Sequence, residues 1–283
     1  MSYICNKYKV IKLFITFFIY FTTSFTIGFL PKHVNQKKLV SISPGGLTGF
    51  YTLGITSYLK ENYNLSDYAF LGASAGSWNA LLLTCKYSNH HIVHDLLSQD
   101  IFKNTTSISI LQKGIKNYIL NTYHDHDFDL HRLFISVSIF RYFYFKPKII
   151  YNFVSLKDAL DGCTSSSYIP MVTGGIRLTR IKNIIIDGGW PKFPPDDVSP
   201  YFTIEPSMWG KEFKRGDRFK YPDNYHFFRE MYELGYNDTH NNKHLLDQYF
   251  SLNDINIPSS LPSAHCIPGH QYYDVVHNCS NNS

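Results

Sequence analysis

The sequence predicts an α/β domain in which helices cover a mostly parallel β-sheet. Short apolar segments with strand character alternate along the chain with segments whose apolar residues recur at helical spacing. Glycine-rich turns join them, and this alternation is typical of β-α-β units. The chain of 283 residues, 44% of them hydrophobic, is long enough for one domain with a substantial core.

The first predicted elements form a strand-helix-strand-helix unit. Residues 38–43 (KLVSIS) have the composition of a short buried strand, and the glycine-rich turn PGGLTG follows them. Residues 50–60 (FYTLGITSYLK) show the spacing of a helix. Residues 68–71 (YAFL) are predicted to form a second strand, and residues 75–85 a second helix.

The later elements are less regular in their patterns. Residues beyond Pro206 are polar, and a loose tail follows Pro258. We predict helices at 90–100, 111–122, 156–163 and around 224–235, two strands within 133–154 around Pro147, and a strand at 182–186.

The N-terminus has the layout of a targeting segment. Residues 13–30 (LFITFFIYFTTSFTIGFL) carry no charge, and lysines precede them. Their length is at the lower limit for crossing a bilayer, so cleavage and anchorage both stay open, as does a buried first helix. We expect a signal peptide or signal anchor at 1–30, a folded domain at 31–240, a polar tail at 241–283, and a location in the secretory pathway or at a membrane.

Charge and cysteine usage restrict the function classes. The net charge of +5 is dispersed, without the basic stripe of a nucleic-acid-binding protein. The five cysteines show no metal-ligand spacing. Cys266 and Cys279 could form a disulfide in an oxidising compartment or remain free thiols.

Ser74 is the candidate nucleophile. Gly72-Ala73-Ser74-Ala75-Gly76 has the G-x-S-x-G pattern, which needs a sharp strand-to-helix turn that exposes the serine hydroxyl. The pattern alone recurs by chance, but here it follows a predicted strand and opens a predicted helix. Small residues are required because the backbone passes close to itself at such a turn.

Two further segments can complete a site. Gly45 and Gly46 follow the first predicted strand, and a glycine turn there can present backbone N–H groups to a developing oxyanion, together with the N–H of Ala75. Asp187 ends a strongly apolar strand and precedes Gly188 and Gly189. A carboxylate at the carboxyl end of a central strand lies where α/β sheets place their active sites.

These segments carry a family resemblance. PGGLTGFYTLG, FLGASAGSWNALLL and IIIDGG together resemble the patatin-like phospholipases, and GCTSSSYIPMVTGG and YPDNYHFFREMYELGYNDT resemble further segments of the adiponutrin-type members. The resemblance covers about residues 38–240. It implies a three-layer α/β/α sandwich, a Ser74/Asp187 dyad, and motif glycines at Gly49, Gly72, Gly76, Gly188 and Gly189.

The resemblance also implies an activity and its requirements. The expected reaction is hydrolysis of lipid acyl esters at a membrane or lipid-droplet surface, through an acyl-serine and without a metal or cofactor. Two positions depart from the family pattern. Thr48 stands where plant and bacterial members usually carry Arg or Lys, and Trp190-Pro191-Lys192 replaces the usual residues after Asp-Gly-Gly.

Two other functions fit the same sequence. An ordinary α/β-hydrolase would add a histidine to Ser and Asp, and His226, His240, His244 or His265 would be available. A protein that keeps the fold as a weakly active or inactive lipid- or membrane-binding module is the second alternative, and the departures at Thr48 and Trp190 motivate it.

Overall fold

The computed structural model describes residues 37–103, 105–141, 144–169, 173, 184–222 and 224–253, and this part of the chain is an α/β fold. Its strands are β1 (Lys38–Ile42), β2 (Tyr68–Ala73), β3 (Leu133–Arg141), β4 (Tyr144–Ile150), β5 (Ile184–Ile186) and β6 (Phe202–Ile204). Its helices are α1 (Gly49–Asn62), α2 (Ala75–Thr84), α3 (Asn89–Ser98), α4 (Ile108–Thr122), α5 (Leu156–Ser166), α6 (His226–Asn241) and α7 (Lys243–Leu246).

The strands form one mixed sheet whose strands are mostly parallel. β1 pairs in parallel with β2 and β6, and β2 pairs in parallel with β3. β4 and β5 both run antiparallel to β3. The order across the sheet is β4-β3-β2-β1-β6, with β5 paired to β3 outside this path. The α/β class and the mostly parallel sheet predicted from the sequence are confirmed.

Each face of the sheet has its own apolar cluster, because successive side chains of a strand point to opposite faces. Val40, Phe70 and Ile135 belong to the large core that packs against α1, α2 and α5. Leu39, Leu71 and Phe134 form a smaller cluster with Val198, which lies in the segment after β5. The described sheet is therefore covered on both sides.

Helices α1 and α6 pack very closely on the helical side of the sheet. Each contributes a glycine to the contact: a Cβ at Gly54 would overlap the Tyr232 carbonyl oxygen, and a Cβ at Gly235 would overlap the Tyr51 carbonyl oxygen. The backbones therefore approach to a distance that a side chain would prevent. The phenolic hydroxyl of Tyr51 reinforces the contact by donating to Asp238, 2.7 Å away.

Several predicted elements are present with shifted ends. The six helices predicted within the described residues all form, and α4 and α6 are longer than expected. The two strands expected around Pro147 are β3 and β4, but Pro147 lies inside β4 rather than between them. Proline is tolerated there because β4 is an edge strand of the described sheet, where one side needs no N–H donor. β6 was not predicted: it has three residues (FTI), of which only Ile204 is buried, so the sequence shows no apolar run there.

The compact unit containing the described residues ends at Asn253. It extends past residue 240, where we expected the domain to end, because Leu246 and Phe250 are buried in the core. Within the described segments, no helix has the length and hydropathy needed to cross a membrane. The predicted targeting segment at 1–30, Cys266 and Cys279 lie outside the described residues.

Candidate active site

Ser74 occupies a strained turn between β2 and α2. Its backbone has φ 53° and ψ −125°, a region that residues with a Cβ rarely adopt. Strain of this kind persists only where the surroundings enforce it, and it is concentrated at functional sites. The turn places the Ser74 side chain just before the first residue of α2, Ala75, at the positive end of the helix dipole.

The glycines of the G-x-S-x-G pattern are explained by contacts between backbones. A Cβ at Gly72 would overlap the carbonyl oxygen of Gly76, and a Cβ at Gly76 would overlap the carbonyl oxygen of Ile42 in β1. Neither acceptor belongs to a flexible side chain, so neither could move aside. The turn can therefore form only with hydrogen atoms at these two positions.

Asp187 reaches the same point from the opposite direction. β3 pairs with β2 through Leu133–Ser136 and, farther along the same edge, with β5 through Ser138–Phe140. β2 and β5 therefore lie end to end beside β3, and their carboxyl ends face each other. Ser74 follows the end of β2 and Asp187 follows the end of β5, which brings the two side chains together.

The strand before Asp187 differs from a central parallel strand. Asp187 follows the carboxyl end of a strand, but this strand, β5, lies outside the main strand order and runs antiparallel to β3. The reason lies in strand length. β3 is longer than its pairing with β2, and the free edge that remains beyond β2 accepts a short strand of the opposite direction.

The Asp187 carboxyl group is partly buried, and its Oδ1 accepts a hydrogen bond from the Gly189 N–H at 2.8 Å. Burial raises the pKa of Asp187 above its ordinary value, and the nearby Ser74 hydroxyl and the Gly189 N–H oppose the increase because both stabilise the charged form. A carboxylate with a raised pKa next to a serine hydroxyl is a suitable general base.

The two glycines after Asp187 are also needed for close packing. A Cβ at Gly188 would overlap the Ser136 carbonyl oxygen, and a Cβ at Gly189 would press on the Pro44 ring at 2.6 Å. Two serine hydroxyls of β3 hold the segment from the other side: Ser136 donates to the Gly188 carbonyl at 3.0 Å, and Ser138 donates to the Trp190 carbonyl. The Asp-Gly-Gly sequence is thus fixed against the edge of β3.

The glycine turn after β1 lies beside the nucleophile. Gly46 has φ +57°, and a Cβ there would overlap the Arg218 carbonyl oxygen. The Gly45 carbonyl accepts from the hydroxyl and the N–H of Thr48, at 2.8 and 3.2 Å. Because the C=O and N–H of a trans peptide point in opposite directions, these bonds direct the Gly46 N–H away from Thr48. Thr48, one of the two departures from the family pattern, therefore closes this turn.

An apolar cavity opens at Ser74. Gly46 and Ala75 also line it, and Gly49 keeps its floor close to the nucleophile turn, because a Cβ there would press on the Ala75 methyl. Gly45, the other expected oxyanion residue, is not among the described residues that line the cavity. One face of α4 forms part of the wall, together with Phe50, Leu53, Trp78, Leu82 and Leu96. A lining of this kind suits an apolar ligand.

The histidines proposed for a triad lie elsewhere. His226, His240 and His244 are exposed, and none of them lines the cavity or contributes to the pKa of Asp187. His265 lies outside the described residues. Within the described segments, no three His, Cys, Asp or Glu side chains are arranged to bind a metal ion.

Ser166 is a site residue that sequence reasoning missed. It is the last residue of α5, it is completely buried, and its hydroxyl accepts a hydrogen bond from the Ser74 N–H at 2.8 Å. The sequence offered GCTSSSYIP only as part of a family resemblance. Three consecutive serines gave no sign of which one contacts the nucleophile.

Comparison with known proteins gives no independent assignment, because no family model and no curated protein matches the chain.

Proposed function

We propose that this protein is a patatin-like lipid acyl hydrolase with a three-layer sandwich fold and a Ser74/Asp187 dyad. The observation that carries the proposal is the strained Ser74 beside a partly buried carboxyl group with a raised pKa, at the opening of an apolar cavity. Ester cleavage through an acyl-enzyme requires a nucleophile and a base, which Ser74 and Asp187 would supply. The apolar cavity suits a fatty acyl chain.

The reaction follows from the positions of these groups. The Ser74 Oγ attacks the ester carbonyl carbon, and Asp187 accepts the hydroxyl proton. The N–H groups of Gly46 and Ala75 stabilise the oxyanion, since residues at the start of a helix or 3-10 turn have no intrahelical acceptor. Asp187 returns the proton to the departing alcohol. Water, deprotonated by Asp187, then attacks the acyl-serine, and Asp187 returns this proton to the Ser74 Oγ as the fatty acid leaves.

The substrate is a lipid ester at a membrane or lipid-droplet surface, and the N-terminal apolar segment would direct the chain to that location. The described cavity lining is mostly hydrocarbon, and its polar residues besides Ser74 are Asn79, Gln112, Ser167 and Thr173. Such a lining favours burial of an acyl chain by the hydrophobic effect and gives no charged partner for a polar head group.

The proposal is tested by labelling the full-length protein with a fluorophosphonate probe, which reacts with activated serines. We expect labelling of the wild type and its loss in Ser74→Ala. We expect a rate at least about 100-fold lower in Asp187→Asn, because the base is lost. Ser98→Ala and Asp67→Asn, at exposed positions, are matched controls that should label like the wild type.

A folded wild-type protein that is not labelled would contradict the hydrolase proposal. The cavity would then favour the alternative of a lipid-binding protein without activity. Binding of a fluorescent fatty acid analogue, displaced by unlabelled lipid, would measure that function directly. An active protein should instead release fatty acid from lipid esters, and that release should depend on both Ser74 and Asp187.

A further inference from the structure

Ser166 contacts both halves of the candidate dyad. Its hydroxyl lies 2.8 Å from the Ser74 nitrogen, which donates to it, and donates in turn to the Ser136 carbonyl at 2.6 Å. Its own carbonyl accepts the Gly188 N–H at 2.8 Å, one residue after Asp187. One residue thus bonds to the nucleophile turn, the aspartate turn and the strand that supports both.

The neighbouring serines behave differently. The hydroxyls of Ser165 and Ser167 donate to carbonyls of their own helix, Asp161 and Cys163, at 2.8 and 2.7 Å, which is a common local bond for serine. The Ser167 hydroxyl also accepts from the Trp78 indole N–H of α2 at 3.1 Å. Among these three hydroxyls, only that of Ser166 reaches the sheet and the backbone of Ser74.

The bond to Ser74 has a clear physical role. The Ser74 N–H is buried, and a buried backbone donor needs a partner. The residue also has a positive φ, which costs free energy unless surrounding bonds enforce it. The Ser166 hydroxyl supplies the acceptor at the strained residue itself, so it fixes the direction of the Ser74 side chain.

The aspartate is fixed from the same short segment. The Asp187 N–H donates to the Tyr168 carbonyl at 2.8 Å, two residues after Ser166. The Cβ of a residue other than glycine at 188 would lie 2.8 Å from the Ser166 Oγ. The end of α5 and the residues after it therefore set where the Asp187 carboxylate lies relative to Ser74.

We propose that Ser166 is a positioning residue that aligns the Ser74 hydroxyl with the Asp187 carboxylate. The inference rests on the proposed function of these two residues. Ser166 does not line the cavity among the described residues, so it acts on the reaction through Ser74 and not through the substrate. Its removal should slow acylation and leave substrate binding unchanged.

The test compares Ser166→Ala with Ser165→Ala in the full-length protein. Both variants lose one hydroxyl from neighbouring positions of α5, but only the first loses a bond to Ser74. We expect the fluorophosphonate labelling rate per folded molecule to fall about 10- to 100-fold in Ser166→Ala, the effect of a small misplacement of reacting groups. KM for an ester substrate should change little. Ser165→Ala should match the wild type.

The pH dependence separates alignment from simple destabilisation. The Ser74 hydroxyl is one of two groups that lower the pKa of Asp187, and no charged side chain of the described residues contributes to it. Poorer alignment weakens this interaction, so the acid inflection of the labelling rate should move to higher pH in Ser166→Ala. A merely less stable protein would keep the wild-type inflection.

A second variant, Ser166→Cys, and a second measurement, amide hydrogen exchange, test the role of Ser166 without relying on catalytic activity. Ser166→Cys keeps most of the side-chain volume but offers a weak acceptor, and should change labelling in the same direction as alanine. Amide hydrogen exchange at Ser74 should become faster in both variants and stay slow in Ser165→Ala. Unchanged exchange at Ser74, or wild-type labelling of both Ser166 variants, would overturn the inference. An unlabelled wild type would instead contradict the proposed function, and exchange would still decide the role of Ser166.

Discussion

As the proposed base, Asp187 has to satisfy two requirements that oppose each other. A base is stronger when its pKa is raised, and burial raises the pKa of Asp187 by disfavouring the charged form. The base must nevertheless be ionised to accept a proton at neutral pH. The Ser74 hydroxyl and the Gly189 N–H limit the increase in pKa, because both stabilise the carboxylate. The site therefore keeps the charge that it needs at a cost in stability.

This balance predicts how activity and stability depend on pH. Labelling of Ser74 should fall as pH decreases through a pKa above that of an ordinary carboxyl group. A group whose pKa is raised on folding contributes stability that is fully present below its unfolded pKa and is lost as pH rises through its folded pKa. Neutral Asp187→Asn should therefore melt above the wild type at pH 7, and the difference should shrink in acid.

The expected increase is a few degrees, because about 1 kcal/mol changes the melting temperature of a protein of this size by about 2–4 °C. Thermal unfolding at several pH values measures it. Asp67→Asn, at an exposed position, removes the same charge and should leave the melting temperature unchanged. A wild type that is more stable than Asp187→Asn at pH 7 would contradict this account of the site.

Some residues of the candidate site could be identified from the sequence, and others could not. Ser74 and Asp187 were identifiable because backbone contacts require glycines next to them, and glycines can be read from a sequence. Ser166 was not identifiable, because its role depends on where the end of α5 meets β3. Ser165 and Ser167 have the same side chain and differ from it only in direction.

At the scale of elements, the helices were easier to predict than the strands. Each helix repeats its pattern over ten or more residues, apart from the short α7, whereas β5 and β6 have three residues each within the described segments. Strand direction was not predictable, because the antiparallel pairing of β5 depends on the extra length of β3 and not on β5 itself. The two carboxyl ends meet at the site for that reason.

Helix α4 lines the cavity with one of its faces. Its N-terminal end is capped by Ser107, whose hydroxyl accepts from the Ile110 N–H. Ile108, Leu111, Ile115 and Ile119 recur at helical spacing and line the cavity, while Ile110 points outward and is half exposed. One face of α4 therefore limits the space inside the cavity, and its opposite face does not.

We expect Ile115→Trp to shorten the chain that the cavity accepts. Each methylene excluded from an apolar site loses about 0.8 kcal/mol, so two or three of them should lower kcat/KM for long-chain esters by roughly 30-fold. Short-chain esters should react as before. Ile110→Trp, the same change on the outer face of α4, should alter neither. Equal effects on long and short esters would show that the cavity does not hold the acyl chain.

In the described part of the chain, the residues proposed to react and the residues that close the core lie at opposite ends of the sheet. Ser74, Asp187 and the glycine turn gather at the carboxyl ends of β1 and β2, where α/β folds generally place their sites. The opposite end of the sheet is closed by the last described segment. There the backbone N–H of Asn64 donates to the Ser251 carbonyl at 2.9 Å, and the backbone N–H of Asn253 donates to the Asn62 carbonyl at 3.0 Å.

Phe250 is the centre of this closure. Its ring lies 5.0 Å from that of Tyr68 at the start of β2, 5.1 Å from Phe202 and 5.8 Å from Tyr63, measured between ring centroids. Only 3% of the residue is exposed. The boundary expected at residue 240 would have removed this ring, and with it a part of the core that joins α1, β2 and β6.

We therefore expect Phe250→Ala to destabilise the protein without changing the chemistry at Ser74. Removal of a buried aromatic ring costs about 3–5 kcal/mol, which urea unfolding would measure. Leu252→Ala, at a residue that is 64% exposed, is the control and should change stability little. The labelling rate of the folded fraction should equal that of the wild type in both variants. A slower rate in folded Phe250→Ala would mean that the two ends of the sheet are coupled, because the change would have crossed the length of β2 to reach the nucleophile.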